Sequence, residues 1–118
     1  MKVLVIGAST NPNRFAFSCM HNLLQHGHEV VAIGKRTGVV DNTIIETELI
    51  HYSNIHTVTI YIGKENQAMY DEYLLKLHPN RVIFNPGTHN AELALKLKAD
   101  GIEVVHDCTL VMLDNQTF

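Results

Sequence analysis

Residues 1–20 read MKVLVIGASTNPNRFAFSCM and contain the transition that decides the fold. An apolar run from Val3 to Ile6 stops at Gly7, small and polar residues follow, and helical spacing begins near Phe15. A strand, a glycine turn and a helix N-terminus in this order commonly hold a phosphate, because the first helical N–H groups are unpaired and carry the positive end of the helix dipole. The dinucleotide spelling G-x-G-x-x-G is absent. The stretch therefore predicts a β–loop–α unit with a phosphate-binding loop, and it leaves the identity of the ligand open.

The alternation of strand-like and helix-like segments continues along the chain. Near-continuous apolar runs predict buried strands at 2–6, 29–33, 57–62, 81–84 and 103–105. Apolar residues three and four apart predict helices at 15–24, 64–78 and 91–101, with a last helical turn at 108–113. Turn signals interrupt residues 34–56, which we predict to form an irregular connection with room for one short strand or helical turn.

These units predict one domain over residues 1–118 with an α/β fold, a Rossmann-like doubly wound three-layer sandwich around a five-stranded, mainly parallel sheet. In such sheets ligands bind outside the carboxyl ends of the strands, at the switch in strand order. The candidate site is therefore the set of loops after the first four predicted strands: GASTNPNR (7–14), GKRTG (34–38), GKEN (63–66) and NPGTHN (85–90).

The composition is that of an ordinary globular chain and weighs against several classes of function. Of the 118 residues, 46% are hydrophobic and 18% are charged, and the net charge is −3. Overall charge should therefore attract neither nucleic acid nor an anionic membrane. No apolar run approaches the ~20 residues that a membrane span needs, and we expect a cytoplasmic protein. Cys19 and Cys108 form no CxxC motif, so we expect two reduced thiols.

The first two loops carry the anion-binding chemistry. Gly7 allows a sharp turn and a close approach of ligand to backbone, and Arg14 has the fork geometry to hold a phosphate. A nicotinamide-binding domain normally places Asp or Glu after its second strand to bind the ribose hydroxyls. This chain has Gly34-Lys35-Arg36 there instead. NAD is therefore disfavoured, and NADP or coenzyme A, which carry a further ribose phosphate, fit better.

The residues singled out in the third and fourth loops are uncharged, and their predicted contribution is the shape of the site. Ile62-Gly63 would permit the close approach of a flat group such as adenine. The stretch Asn85-Pro86-Gly87-Thr88 predicts a rigid turn with exposed backbone donors, although Pro-Gly is also common in turns that bind nothing.

Four blocks of the sequence together resemble a known family. The blocks are VIGASTNPNRFAF, GHEVVAIGKRTG, VIFNPGTHNAEL and GIEVVHDCTLVML, and they run from Val5 to Leu113 in the family's order. In this respect the chain is similar to stand-alone CoA-binding domain proteins, and to the N-terminal CoA-binding domain of the succinyl-CoA synthetase α subunit. The resemblance implies a Rossmann-like domain that binds coenzyme A or an acyl-CoA.

The resemblance also implies a role for each loop. The first loop would line the pyrophosphate, the basic pair would meet the ribose phosphate, the third loop would flank the adenosine, and the fourth would face the pantetheine. The candidate cofactor-binding residues are then Gly7, Ala8, Ser9, Thr10, Asn11, Pro12, Arg14, Phe15, Gly34, Lys35, Arg36, Ile62, Gly63, Phe84, Asn85, Pro86 and Gly87. The synthetase's phosphorylated histidine lies in a separate domain, so the resemblance favours binding over that catalysis.

Catalysis is not predicted for the chain by itself. Its eight histidines form no metal-binding pattern. His89 lies beside the fourth loop, and His106 and Asp107 precede Cys108, a grouping that would suit acyl transfer. A cysteine before an apolar helix is nevertheless more often a small buried residue. We therefore expect a binding module, with no catalytic residue and no metal.

Two rival interpretations stay open. A NADP-binding redox protein or sensor would use the same phosphate contacts, although the chain is short for a second, substrate-holding domain and its first loop lacks two of the usual glycines. An interaction subunit that has lost its ligand would have a blocked cleft. A homodimer or a protein partner is also compatible with the sequence.

Overall fold

A computed structural model describes residues 1–118, which form seven strands and four α-helices. The strands are β1 (Lys2–Ile6), β2 (Glu29–Ile33), β3 (Gly38–Val40), β4 (Thr43–Glu46), β5 (Thr57–Ile60), β6 (Arg81–Phe84) and β7 (Glu103–His106). The helices are α1 (Phe15–Gln25), α2 (Asp71–Leu77), α3 (Ala91–Ala99) and α4 (Thr109–Asp114). None of these helices combines the length and the apolar character that a bilayer crossing requires.

All seven strands belong to one sheet with the order β3-β4-β2-β1-β5-β6-β7. Every pairing is parallel except that of β3 with β4, so the sheet is mixed. The central strand β1 has β2 on one side and β5 on the other. The chain therefore winds outward in both directions from β1, and the loops after β1 and β5 diverge there to leave a crevice.

The prediction of five strands is wrong because residues 38–46 form a hairpin. Asp41 and Asn42 have φ values of 46° and 70°, the left-handed conformation at both central positions of the tight turns that join short antiparallel strands. Val40 and Ile45 are buried against the sheet, whereas Val39 and Ile44 are 61% and 60% exposed. Two strands of three and four residues with this alternation are too short for hydrophobic periodicity to distinguish from a loop.

Helices cover both faces of the sheet, as expected for a doubly wound fold. Leu4 and Ile6 of β1 pack in the core cluster that contains residues of α2 and α3. Val3 and Val5 point to the opposite face and pack in the cluster that contains residues of α1, with Leu113 of α4. Because side chains alternate along a strand, β1 can be apolar throughout only if both of its faces are covered.

Several predicted boundaries agree with the structure and one segment does not. Strands are confirmed at 2–6, 29–33 and 81–84, whereas the strand predicted at 57–62 ends at Ile60. The continuous helix predicted at 64–78 is wrong in its first half. There the chain forms two 3₁₀ turns, at Lys64–Asn66 and Ala68–Tyr70, before α2 begins at Asp71.

Candidate ligand-binding site

A cleft opens at the carboxyl ends of β1, β2, β5 and β6 and has a volume of about 640 Å³. It lies over the point at which the chain winds outward from β1, where open α/β sheets commonly bind ligands. Its lining comprises Gly7, Ala8, Ser9, Thr10, Asn11, Arg14, Phe15, Ala16, Lys35, Arg36, Tyr61, Ile62, Gly63, Asn66, Pro86 and Thr88.

Gly7 allows the loops after β1 and β5 to approach each other at the floor of this cleft. Its φ is +90°, and a Cβ built on it would lie 2.8 Å from Ile62 Cγ2 and 3.0 Å from the carbonyl carbon of Tyr61. An L side chain would therefore be strained by its backbone conformation and would clash with the two residues that directly follow β5. Gly34 is similarly constrained, since a Cβ there would collide with the carbonyl oxygen of Ala8.

The first loop is held by hydrogen bonds of its own. The Gly7 and Ala8 N–H groups both donate to the Ile33 carbonyl, at 2.9 and 3.0 Å, and so extend the β1–β2 pairing past the end of the strand. The Asn11 N–H donates to Ser9 Oγ at 3.0 Å, and the Asn13 N–H donates to the Asn11 Oδ1 at 3.0 Å. Side chains of this kind commonly stabilise tight turns in this way. These bonds hold the loop in its turn conformation.

In the first loop and the first turn of α1, four backbone N–H groups that line the cleft have no acceptor within the protein. They belong to Ser9 and Thr10 in the loop and to Phe15 and Ala16 in the first turn of α1. Arg14 is the N-cap residue of α1, and no side chain caps this helix. Unpaired donors at a helix N-terminus, together with the positive end of the helix dipole, favour a bound anion.

The cleft has a basic lining although the protein as a whole is acidic. Arg14, Lys35 and Arg36 line it, and its lining contains no Asp or Glu. None of these three cations takes part in a salt bridge, and the chain carries a net charge of −3. The positive charge is therefore concentrated here without a protein counter-ion, which is the electrostatic arrangement of a site for a polyanionic ligand.

A second compartment of about 320 Å³ adjoins the first and shares Gly7, Lys35, Ile62 and Asn66 with it. Its other lining residues are Gly34, Glu65, Ala68, Met69 and Tyr70. Apart from Gly34, these lining residues belong to the two 3₁₀ turns. The first half of the segment that the sequence predicted as one continuous helix therefore forms a wall of the site. Met69, Tyr73 and Leu77 follow one another at helical spacings of four, and this pattern does not reveal that the chain enters α2 through two 3₁₀ turns.

Most of the predicted cofactor-binding residues are brought together in these two compartments, and four are not. Pro12 and Gly87 are exposed but do not line the cleft. Phe84 and Asn85 are 0% and 1% exposed and lie beneath it.

Asn85 ties three elements together under the cleft. Its Nδ2 donates to Thr59 Oγ1 at 2.7 Å and to the Ile60 carbonyl at 2.8 Å, both on β5. Its Oδ1 accepts the N–H of Thr109, the first residue of α4, at 2.8 Å. Thr109 Oγ1 closes the ring with Thr59 Oγ1 at 2.8 Å. The composition of the NPGT stretch predicts a turn correctly, but it does not reveal that the amide points inward.

Gln67 connects the third and fourth loops and was not singled out in the sequence. Its Nε2 donates to the carbonyls of Ile62 and Thr88, at 2.9 and 2.7 Å, and its side-chain oxygen accepts from Asn90 Nδ2 at 3.1 Å. Asn90 in turn caps α3, because its Oδ1 accepts the Leu93 N–H at 3.1 Å. Gln67 is 1% exposed, so these bonds are shielded from water and set the spacing of the two loops.

The two cysteines differ in their surroundings, and neither lines the cleft. Burial raises the pKa of Cys19 to about 12, so this thiol is a neutral core group. Burial also raises the pKa of Tyr61, a residue of the cleft lining whose hydroxyl is buried without a hydrogen-bond partner. Cys108 is half-buried at the start of α4, and its N–H donates to Asp107 Oδ1 at 2.7 Å.

A family model described as a CoA binding domain matches residues 1–114. The chain belongs to the CoA-binding domain family. The match spans every element of the sheet and all four loops around the cleft. The resemblance drawn from the four sequence blocks is thereby confirmed, and a CoA-binding module is the function that the family supports.

Solved structures with the same fold extend from close to distant relatives of this chain. A crystal structure of an uncharacterized protein is 44% identical, covers 99% of this chain and 97% of its own, and has a TM-score of 0.97. A hypothetical protein from Pyrococcus horikoshii OT3 is 23% identical over 96% of this chain and 81% of its own, with a TM-score of 0.87. A search of curated proteins finds no significant match.

One neighbour is a much larger enzyme. A dinucleotide forming acetyl-coenzyme A synthetase from Ca. Korarchaeum cryptofilum is 14% identical, with a TM-score of 0.75. The alignment covers 90% of this chain but only 26% of the synthetase. At this level of identity the likeness concerns the fold alone.

Proposed function

We propose that this chain binds coenzyme A or an acyl-CoA in the cleft at the carboxyl ends of its strands. The observation that carries the proposal is the concentration of three cations without salt-bridge partners around the larger compartment, whose lining contains no carboxylate, together with four unpaired backbone donors in the first loop and the first turn of α1. Coenzyme A presents a pyrophosphate and a 3′-phosphate, which match a site of this charge. Membership of the CoA-binding domain family supports coenzyme A as the class of ligand.

Each part of the ligand has a proposed position. The pyrophosphate accepts hydrogen bonds from the free N–H groups around Ser9 and Phe15, with Arg14 beside it. Lys35 and Arg36 meet the 3′-phosphate, and the adenosine packs near Ile62 and Gly63. The pantetheine arm then runs toward the fourth loop, past Pro86, Gly87 and Thr88. In this arrangement the buried pair Phe84 and Asn85 supports the loop from below.

The lining favours binding over turnover. The larger compartment presents hydroxyl, amide and basic side chains, and none of its lining residues is a histidine, a cysteine or a carboxylate. A general base or an activated nucleophile needs such a group within reach of the reacting atoms. We therefore propose a binding module that carries or senses its ligand.

A NADP-binding redox protein or sensor is the second candidate. Lys35 and Arg36 occupy the position from which a nicotinamide domain reads the 2′-phosphate. The same two side chains therefore cannot distinguish NADP from coenzyme A by charge alone.

Isothermal titration of the ligand-stripped protein with CoA, 3′-dephospho-CoA, NADP and NAD tests the proposal. We expect CoA to bind and to lose about tenfold or more in affinity without its 3′-phosphate, since a charge-assisted contact contributes about 1–3 kcal/mol. The double variant Lys35→Ala, Arg36→Ala should abolish that difference, whereas Lys76→Ala, an exposed lysine of α2, should preserve it. Binding of NADP without CoA would select the redox alternative, and binding of none of the four would overturn both.

A further inference from the structure

The smaller compartment of the cleft differs from the larger one in charge. The larger compartment is lined by Arg14, Lys35 and Arg36 and by no carboxylate. The smaller one is lined by a single cation, Lys35, and by a single carboxylate, that of Glu65, which takes part in no salt bridge. The phosphates of a polyanionic ligand are therefore favoured in the larger compartment, and an uncharged part of the ligand is favoured beside Glu65.

The walls of the smaller compartment suit a flat and largely apolar group. Its hydrophobic lining residues are Ile62, Ala68, Met69 and Tyr70. Gly7 and Gly34 contribute backbone that carries no side chain, against which a ring can lie closely. The volume of about 320 Å³ is at the lower end of the range of roughly 300–1,000 Å³ for small-molecule sites. The compartment therefore has room for one part of a ligand, such as a nucleotide base.

Gly63 leaves the space in which the Glu65 carboxylate lies. A Cβ built on Gly63 would lie 2.9 Å from Cδ and 3.0 Å from Oε2 of Glu65. The φ and ψ of Gly63 are −66° and 157°, a conformation that any residue adopts, so the glycine provides space rather than backbone freedom. Gly63 lines the larger compartment and Glu65 lines the smaller one. The carboxylate is therefore held against the loop after β5, where the two compartments meet.

Lys35 connects the two compartments, because it lines both of them. In the proposed arrangement its ammonium group meets the 3′-phosphate, which is attached to the ribose of the adenosine. The base is attached to the same ribose, whereas the pantetheine arm leaves the pyrophosphate toward the fourth loop. The uncharged part of coenzyme A that enters the smaller compartment beside Lys35 is therefore the base.

We propose that Glu65 selects the base of the ligand by accepting a hydrogen bond from its exocyclic 6-amino group. This inference rests on the proposed function and adds to it a specificity, for an adenine over a 6-oxopurine. The 6-amino group of adenine is a donor, whereas the 6-oxygen of guanine or hypoxanthine is an acceptor. An ionised carboxylate offers acceptors alone, so a 6-oxopurine would bring two oxygen acceptors together with no hydrogen between them. Glu65 is therefore a specificity-determining residue of the site.

Isothermal titration with CoA and with its analogue in which hypoxanthine replaces adenine tests the inference, because the two ligands share every phosphate and the pantetheine arm. The wild-type protein should bind the analogue about tenfold more weakly than CoA, as expected for the loss of a hydrogen bond to a charged group. Glu65→Gln keeps the size of the side chain and adds an amide donor for a 6-oxygen, so this variant should bind the two ligands about equally. Glu103→Gln is the matched control, at an exposed carboxylate on the amino end of β7, and should keep the wild-type preference.

The other outcomes separate this inference from the proposed function. If the wild-type protein binds both ligands with equal affinity, the role of Glu65 is overturned and the proposed function stands. The same holds if Glu65→Gln changes both affinities by the same factor, because the carboxylate would then act on a part that the ligands share, such as the ribose. If neither CoA nor the analogue binds to the wild-type protein, the inference and the proposed function are both overturned.

Discussion

At the residue scale, Gly7 combines two constraints that can be separated by experiment. Its positive φ costs an L residue about 1–3 kcal/mol, and crowding by Ile62 and Tyr61 adds about 1–3 kcal/mol of overpacking. Gly27 has a similar φ of +83° but would place its Cβ within 4 Å of nothing. We therefore expect Gly7→Ala to lower the free energy of unfolding by clearly more than Gly27→Ala, as measured by urea denaturation. Equal losses would mean that the approach of the β1 and β5 loops is not tight.

Asn85 is a second residue whose role is structural. Asn85→Ala removes both halves of its amide and leaves the Thr109 N–H and the Ile60 carbonyl without these bonds in the buried interior. We expect a loss of at least about 2 kcal/mol in the free energy of unfolding, since each buried polar group left unpaired costs about 1–3 kcal/mol. Asn80→Ala, at an exposed asparagine, is the matched control and should cost little. A small loss for Asn85→Ala would indicate that water replaces the amide.

At the element scale, the β3–β4 hairpin borders the basic loop of the cleft. Lys35 and Arg36 lie between β2 and β3, and the hairpin is anchored by buried Val40 and Ile45 and by the contact of His21 Nδ1 with Asp41 Oδ2 at 2.5 Å. Its packing on α1 therefore sets where the two cations sit.

The turn of this hairpin offers a test of its geometry. Asn42 has a φ of 70° and its side chain makes no hydrogen bond within the protein, so glycine fits the same backbone with less strain. We expect Asn42→Gly to raise the free energy of unfolding by about 0.5 kcal/mol, net of the entropy that glycine costs. Asn42→Val should lower it, because a β-branched residue is strained at positive φ. A destabilised Asn42→Gly variant would contradict this turn conformation.

At the scale of the whole molecule, several positively charged or protonatable groups lie together at the amino ends of the strands, opposite the cleft. His28 Nδ1 lies 3.2 Å from the Met1 amino nitrogen, and the His28 ring packs edge-to-face on Phe118 at 5.1 Å. Arg81 stacks over the same Phe118 ring at 4.6 Å, and its Nε donates to Thr57 Oγ1 at 3.1 Å. An imidazolium is disfavoured in this cluster.

Stability should therefore fall in mild acid. The pKa of His28 is lowered from 6.5 by desolvation first, and then by the amino terminus, His26, Arg81 and His56. The unfolded chain takes up a proton near pH 6.5 before the native chain does, so this contribution to stability is present above that pH and is lost as the pH falls below it. His28→Gln should lose less stability than wild type between pH 7 and 5 in thermal melts. The exposed His51→Gln should follow wild type, and identical pH profiles for all three would contradict the assignment.

The sequence by itself determined the parallel framework, the loops around the cleft and the family. Strands β1, β2 and β6 were predictable to the residue, because strands buried on both faces must be apolar throughout and glycine or a turn ends them. Lys35 and Arg36 were recognisable as cleft residues because the loop after the second strand lies at the carboxyl edge of such a sheet, where the cleft opens. Each of these features can be recognised from a few consecutive residues, because an apolar run and the glycine or turn that ends it are adjacent in the sequence.

Only the tertiary structure decided which groups face the cleft and which support it. The hairpin strands are stable because Val40 and Ile45 find a buried face beside α1, and residues 64–70 leave the helical path to form one wall of the site. Asn85 turns inward because β5 and α4 place two acceptors and a donor around it. Partners distant in sequence set these outcomes, and no local pattern encodes a hydrogen bond between Asn85 and a residue 24 positions away.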